Sequence, residues 1–175
     1  KLERIQAALL VINSADDERN PPETGLMDRA LERVKGAKQH PALVWVHGGV
    51  HGNWGLTMFP FVKEAVERGY VVIAPDYPSF GEYDKYDFEH DKYVSGTMKA
   101  IFNHRRCVDF LSALKFVDAD RIGVIGHSLG GHNAIFLGAF DERLKVIVSS
   151  CGWCPFHDYY GGDIKGWTSD RYMPR

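Results

Sequence analysis

One glycine–serine segment limits the folds open to this chain more than any other feature. Residues 121–125 (RIGVI) form a short β-branched run, and GHSLG at 126–130 follows directly, ahead of a small-residue segment with helical spacing. A strand that turns sharply into a helix needs small residues because the two elements approach closely, and glycine also adopts positive φ at little cost. The pattern therefore predicts that Ser128 stands at the carboxyl end of a strand, directly before a helix.

A second glycine turn lies upstream at the end of another apolar run. Residues 41–46 (PALVWV) read as a buried strand, and His47-Gly48-Gly49 follows. Two such motifs, in this order and each at a strand end, resemble the α/β-hydrolase superfamily, in which they form the nucleophile elbow and the oxyanion turn. The loop Pro75-Asp76-Tyr77 also resembles the one after the family's fourth strand. The resemblance covers roughly residues 41–175.

Strands alternate with helices along the chain, which favours right-handed parallel crossovers. Fold class is accordingly predicted as α/β: a three-layer α/β/α sandwich with a mostly parallel sheet of about five strands, a partial or minimal α/β-hydrolase core. We expect one domain over 1–175, with a strand-loop-helix unit at 1–38, the core at 41–150 and an irregular tail at 151–175. The predicted strands are 7–12, 42–46, 70–74, 121–125 and 144–149, and the predicted helices are 22–35, 58–68, 93–116 and the elbow helix ending at Phe140.

Composition narrows the classes of partner. The 175 residues include 21 Lys plus Arg and 23 Asp plus Glu, a formal net charge of −2, so neither nucleic acid nor an anionic membrane is expected. No apolar run is long enough to span a bilayer, and the amino-terminal segment lacks the features of a signal peptide, which favours a cytoplasmic protein, with a processed secreted form as the alternative. We expect no cofactor and no metal. An edge strand of the sheet carries unpaired backbone groups that can pair with a second copy of the chain, which predicts a homodimer.

The resemblance implies a serine hydrolase that acts on small carboxylic esters through an acyl-enzyme at Ser128, close to the esterase and prolyl-oligopeptidase-like branches. The oxyanion would be held by the N–H of Leu129 and by an N–H near Gly49 or Val50.

An acidic loop near the amino terminus resembles another part of the family. Residues 5–35 are similar to its late strand, acid-bearing loop and proline-started helix, which points to Asp17 as the catalytic acid. The family order is Ser, then acid, then His. Here the acid precedes Ser128, so the chain is permuted, chimeric or truncated relative to the family. The alternative is a solvated acidic loop whose charge favours the following helix N-terminus.

The general base is the open question. In the family it is a histidine after the last strand, and no residue of this chain occupies that position. His51, His132 and His157 are the candidate bases, whereas His47 is expected to be structural, His104 a hydrogen-bonded core residue, and His127 packed beneath the turn. Two further readings stay open: a catalytically inactive hydrolase-fold fragment, chimera or scaffold without the triad histidine, and a histidine supplied by another chain.

The segment Cys151-Gly152-Trp153-Cys154 follows a strand, as thioredoxin-like redox sites do. The small-residue run of the hydrolase family after the same strand is the favoured interpretation, and a zinc site would lack ligands.

Overall fold

The computed structural model describes residues 9–10, 39–49, 54–81, 85–155, 157–165 and 172. Over these ranges the elements are, in chain order, β1 (Leu9–Leu10), β2 (His40–Val46), α1 (Trp54–Glu67), β3 (Val71–Ile73), α2 (Gly96–Ala113), β4 (Val117–His127), α3 (Leu129–Phe140), β5 (Leu144–Ser150) and a 3₁₀ turn (Tyr159–Gly162). The predicted helix at 22–35 lies outside the described residues.

The strands form one parallel sheet in the order β1-β3-β2-β4-β5. The predicted α/β fold with about five mostly parallel strands is confirmed. Of the predicted strand at 7–12, the described part is β1, which pairs with β3 at the edge opposite β5.

Alternating side chains give the sheet two apolar faces. Val44 and Val46 belong to a core cluster with α2 and α3, whereas Trp45 belongs to a second cluster with α1. Because successive strand residues point to opposite faces, a continuous apolar run is what a strand covered on both sides requires. The result is the predicted three-layer sandwich. Of the helices that the structure describes, none combines the length and apolar character needed to cross a bilayer.

Helix α2 begins three residues later than the pattern predicts. Ser95 is extended and its hydroxyl accepts a hydrogen bond from the N–H of Met98 at 3.2 Å, so it is the N-cap. A serine N-cap satisfies one of the amide groups that the first turn leaves unpaired. The capping residue therefore decides where the helix starts, because Tyr93 and Val94 continue the apolar pattern without helical structure.

Strand register brings the two glycine motifs to the same place. Val46 pairs with Gly126, so the residues that follow each strand, His47-Gly48 and His127-Ser128, leave the sheet side by side. On the other flank His127 pairs with Ser150, and the N–H of Ser128 donates to the Ser150 carbonyl at 2.8 Å. The carboxyl edge of the sheet is therefore where any chemistry of Ser128 takes place.

Candidate active site

Ser128 occupies a strained backbone position between β4 and α3. Its φ of 55° and ψ of −117° lie outside the regions that non-glycine residues ordinarily adopt, and its side chain is exposed. A β-carbon on Gly126 would overlap the backbone of Gly130, and one on Gly130 would overlap the Val46 carbonyl. These contacts explain why the turn needs glycine on both sides of the serine, as the sequence pattern predicts. Strain held in this way by the surrounding packing is common at functional sites.

The turn after β2 lies directly against this serine. A β-carbon placed on Gly48 would lie 3.6 Å from Ser128 Cβ, and one on Gly49 would lie 3.6 Å from Leu129 Cβ. Leu129 is the first residue of α3, so its N–H has no acceptor within the helix. The structure thus brings Ser128, Leu129 and Gly49 together. Val50 lies outside the described residues.

His47 ties the loops after β2 and β3 together. Its Nδ1 is 2.7 Å from the Gly48 carbonyl oxygen and therefore donates to it, and its Nε2 accepts from the N–H of Tyr77 at 2.9 Å. The ring is buried, and burial lowers its pKa, an effect that the Gly48 bond and Asp76, 3.8 Å away, partly oppose. The neutral imidazole thus fixes the Gly48 peptide, which matches the expected structural role.

The candidate bases differ in their surroundings. His132 lies on α3 one turn beyond Ser128, where its ring packs on Phe136 and burial lowers its pKa to about 4. His157 is largely exposed, with its Nε2 3.4 Å from an Asp158 carboxylate oxygen. His51 lies outside the described residues. Within the described ranges, Ser128 Oγ makes no hydrogen bond to a histidine, so the identity of the base stays a prediction.

Two other histidines differ from expectation. His127 does not pack beneath the turn: it is exposed, and its Nδ1 lies 3.0 Å from Ser150 Oγ because β5 ends beside it. His104 is buried in the core as expected, but neither ring nitrogen has a hydrogen-bond partner in the described part of the chain. Desolvation lowers its pKa to about 3, so it is neutral at physiological pH.

The structure describes only some of the remaining predicted features. Asp17 lies in the range 11–38, outside the described residues. Cys151 and Cys154 are exposed free thiols, and Cys151 has a left-handed φ of 53°. Among the described residues, no three His, Cys, Asp or Glu side chains converge as a metal site would require.

Sequence reasoning missed two residues that border the site. Tyr77 is fully buried and supplies the N–H that His47 accepts, and Tyr172 returns from the tail to pack beside it. Tyr77 was visible as the last residue of the loop motif after β3. No local pattern marks Tyr172, because its contacts join residues far apart in the chain.

The chain is similar to several hydrolases. Dipeptidyl-peptidase 5 of Porphyromonas gingivalis is 29% identical over 129 residues, which are 66% of this chain and 17% of that protein. The solved structure of 2,6-dihydroxy-pseudo-oxynicotine hydrolase matches with a TM-score of 0.52 and 29% identity, over 72% of this chain and 33% of that one. An acetyl xylan esterase from Paenibacillus sp. R4 matches with a TM-score of 0.50 and 25% identity, over 63% and 39%.

The chain spans about two fifths or less of the length of each of these relatives. The sequence profile of the alpha/beta hydrolase family matches residues 43–174, which include the glycine turn and Ser128 and exclude the unit at 1–38. The match covers most of the chain and runs through both motifs of the site. This protein therefore belongs to the alpha/beta hydrolase family.

Proposed function

We propose that this protein is a serine hydrolase that cleaves small carboxylic esters through an acyl-enzyme at Ser128. The observation that carries the proposal is the strained, exposed Ser128 at the start of α3, with the Gly48-Gly49 turn packed against it. The similarity to an acetyl xylan esterase agrees with ester substrates.

The geometry suggests how the first step proceeds. Ser128 Oγ attacks the ester carbonyl carbon while a histidine takes the hydroxyl proton, and the carbonyl oxygen becomes an oxyanion. The N–H groups of Leu129 and of Gly49 or Val50 stabilise that charge, helped by the positive end of the α3 dipole. The C–O bond to the alcohol then breaks, and the alcohol leaves with the proton. Water, deprotonated by the same histidine, hydrolyses the acyl-enzyme and releases the acid.

His51, His132 and His157 remain the candidates for this base, and Asp17 the candidate for the acid that orients it. Burial counts against His132, because an imidazole with a pKa near 4 is a weak base at neutral pH. His157 is exposed, and its Nε2 lies 3.4 Å from an Asp158 carboxylate oxygen. Replacement of each histidine by alanine, one at a time, separates the three: the true base is the one whose loss abolishes turnover while the chain stays folded.

Covalent labelling by a fluorophosphonate tests the proposal directly, since such probes react with activated serines. Mass spectrometry should locate the adduct on Ser128 in the wild-type chain, and Ser128→Ala should abolish it. Ser150→Ala is the matched control, because Ser150 is an exposed serine at the same sheet edge and should not affect labelling. A well-folded wild-type chain that stays unlabelled would contradict the proposal.

The second candidate function is a hydrolase-fold scaffold without turnover. It rests on the absence of a histidine hydrogen-bonded to Ser128 among the described residues. It predicts a folded chain with no Ser128 labelling, whereas a base supplied by another chain predicts activity that rises more steeply than protein concentration.

A further inference from the structure

Tyr172 reaches the candidate site from a distant part of the chain. The tail leaves β5 on one flank of Ser128, and Tyr172 packs against a buried cluster of Tyr77, Phe80, Ala100 and Leu129. This cluster lies on the β2 and β3 side of the serine, as shown by Phe80, whose ring is 5.7 Å from that of His47. The departure point and Tyr172 therefore lie on opposite flanks of Ser128.

Both of these positions are held by close contacts. At the departure point the tail is pressed against the first turn of α3, because a β-carbon on Gly152 would overlap the backbone of Gly131 and His132. At the other position the carbonyl of Tyr172 accepts a hydrogen bond from the N–H of Thr97 at 3.3 Å, and its ring centroid is 6.1 Å from that of Tyr77.

The partners of Tyr172 are also the residues that build the site. Tyr77 donates its N–H to His47, which orients the Gly48 peptide, and Leu129 supplies the N–H next to Ser128. Tyr77, Phe80 and Leu129 are almost completely buried, whereas Tyr172 is partly buried. The Tyr172 side chain is thus the part of this cluster that is most accessible to a bound molecule.

We infer that Tyr172 forms the wall of the site on the Leu129 side and limits the size of the group that Ser128 accepts there. The inference rests on the proposed function, and it names a specificity-determining residue that neither motif contains. A wall of this kind discriminates between substrates by excluding bulk, and small changes in an apolar pocket typically change relative rates by about 10- to 200-fold.

Labelling rates with two fluorophosphonates test this wall, one carrying an ethyl group and the other a bulky biphenylmethyl group. Tyr172→Ala should raise the bulky-to-ethyl ratio of Ser128 labelling rates at least tenfold, because the ring no longer occupies the space beside Leu129. Tyr172→Phe keeps an aromatic ring and the main-chain carbonyl, and it should retain the wild-type ratio. A ratio is the decisive readout because partial unfolding slows both probes.

The possible outcomes separate the role of Tyr172 from the proposed reaction at Ser128. An unchanged ratio in Tyr172→Ala, with Ser128 still labelled, would overturn the role of Tyr172 and leave the serine hydrolase proposal standing. Failure of both probes on the wild-type chain would overturn both proposals together. A raised ratio that Tyr172→Phe shares would show that the hydroxyl group, and not the ring, limits access.

Discussion

His47 shows how one buried side chain organises two loops. It donates to the Gly48 carbonyl from Nδ1 and accepts the Tyr77 N–H at Nε2, so a single tautomer satisfies both backbone groups. Because the carbonyl of a trans peptide and the following N–H point in opposite directions, holding the Gly48 carbonyl also sets the direction of the Gly49 N–H. The direction of the Gly49 N–H, one of the amides proposed to hold the oxyanion, therefore depends on the buried His47 imidazole.

Replacing His47 by phenylalanine should separate this role from simple packing. His47→Phe keeps a ring but removes the hydrogen bonds to the Gly48 carbonyl and from the Tyr77 N–H, and loss of the buried Tyr77 bond alone costs about 1–3 kcal/mol. We expect a lower free energy of unfolding in urea and slower fluorophosphonate labelling of Ser128. His40→Phe is the control, since His40 bonds the Gly69 carbonyl at the opposite end of β2. It should lose stability but label at the wild-type rate; equal slowing in both variants would contradict the assigned role.

Burial of His104 predicts a stability that depends on pH. The folded-state pKa is about 3, whereas an unfolded histidine titrates near 6.5. Above pH 6.5 the ring is neutral in both states, so its burial does not make the free energy of unfolding depend on pH. Below pH 6.5 the unfolded chain binds a proton that the folded chain does not bind. The free energy of unfolding therefore falls as the pH is lowered to about 3.

Replacement of this ring should remove its share of the acid sensitivity. We subtract the free energy of unfolding of the wild type from that of His104→Leu, each measured by urea denaturation. This difference should increase by roughly 2 kcal/mol when the pH is lowered from 7 to 5. The exposed His90 offers the matched control, His90→Leu. Growth of the same size in the control would show that burial is not the cause.

Among the elements, α3 depends on its close approach to the sheet. A β-carbon on Gly130 would overlap the main-chain oxygens of Val46 and His47, whereas one on Gly138, in the same helix, meets only the partly exposed side chain of Ile147. Backbone at the end of a central strand cannot move aside without breaking the sheet, but a side chain at an edge can change rotamer. A β-carbon should therefore be tolerated at Gly138 but not at Gly130.

Alanine at each position tests this difference. Gly130→Ala should push α3 away from β2, destabilise the fold by about 1–3 kcal/mol as overpacking does, and abolish labelling of Ser128. Gly138→Ala should be neutral or slightly stabilising, because alanine favours helix more than glycine by about 1 kcal/mol. Thermal unfolding and labelling of the two variants give the comparison, and equal losses would argue against a specific contact at the elbow.

For the molecule as a whole, the β5 edge is the most exposed apolar part of the described sheet. Val146, Ile147 and Val148 are 57%, 45% and 40% exposed. Ile147 lies on the α3 side, next to Gly138, and because side chains alternate along a strand both valines lie on the opposite face. Unpaired edge backbone flanked by apolar side chains is a template for adding another strand.

We propose that a second copy of the chain pairs with this edge in antiparallel fashion. A two-fold axis at Ile147 sets Val146 opposite Val148 and Lys145 opposite Ser149, so apolar groups face each other and like charges do not. Light scattering should give twice the 19.8 kDa of one chain. Ile147→Lys should halve the mass, whereas Met98→Lys, at an exposed position on α2, should not. A wild-type mass of one chain would contradict the dimer.

Local sequence was sufficient to predict the strands of the sheet, the turn around Ser128 and the glycine turn after β2. The apolar runs of β2 and β4 and the glycines around Ser128 are short-range signals, because each reflects a steric need of neighbouring residues. The fold class and the pairing of the two motifs at one edge could therefore be predicted. The start of α2 was predicted three residues too early, since it depends on the single Ser95 hydroxyl bond.

Only the tertiary structure decided which side chains share an environment. Among the described residues, the lack of a hydrogen-bond partner for His104, the exposure of His127 beside Ser150 and the packing of Tyr172 next to Tyr77 all depend on residues far apart in the chain. Such contacts depend on strand order and register, which place distant segments within reach of one another. Local sequence thus determines the strands and the two glycine turns, whereas the burial and the pKa of individual side chains are determined by how distant elements pack against one another.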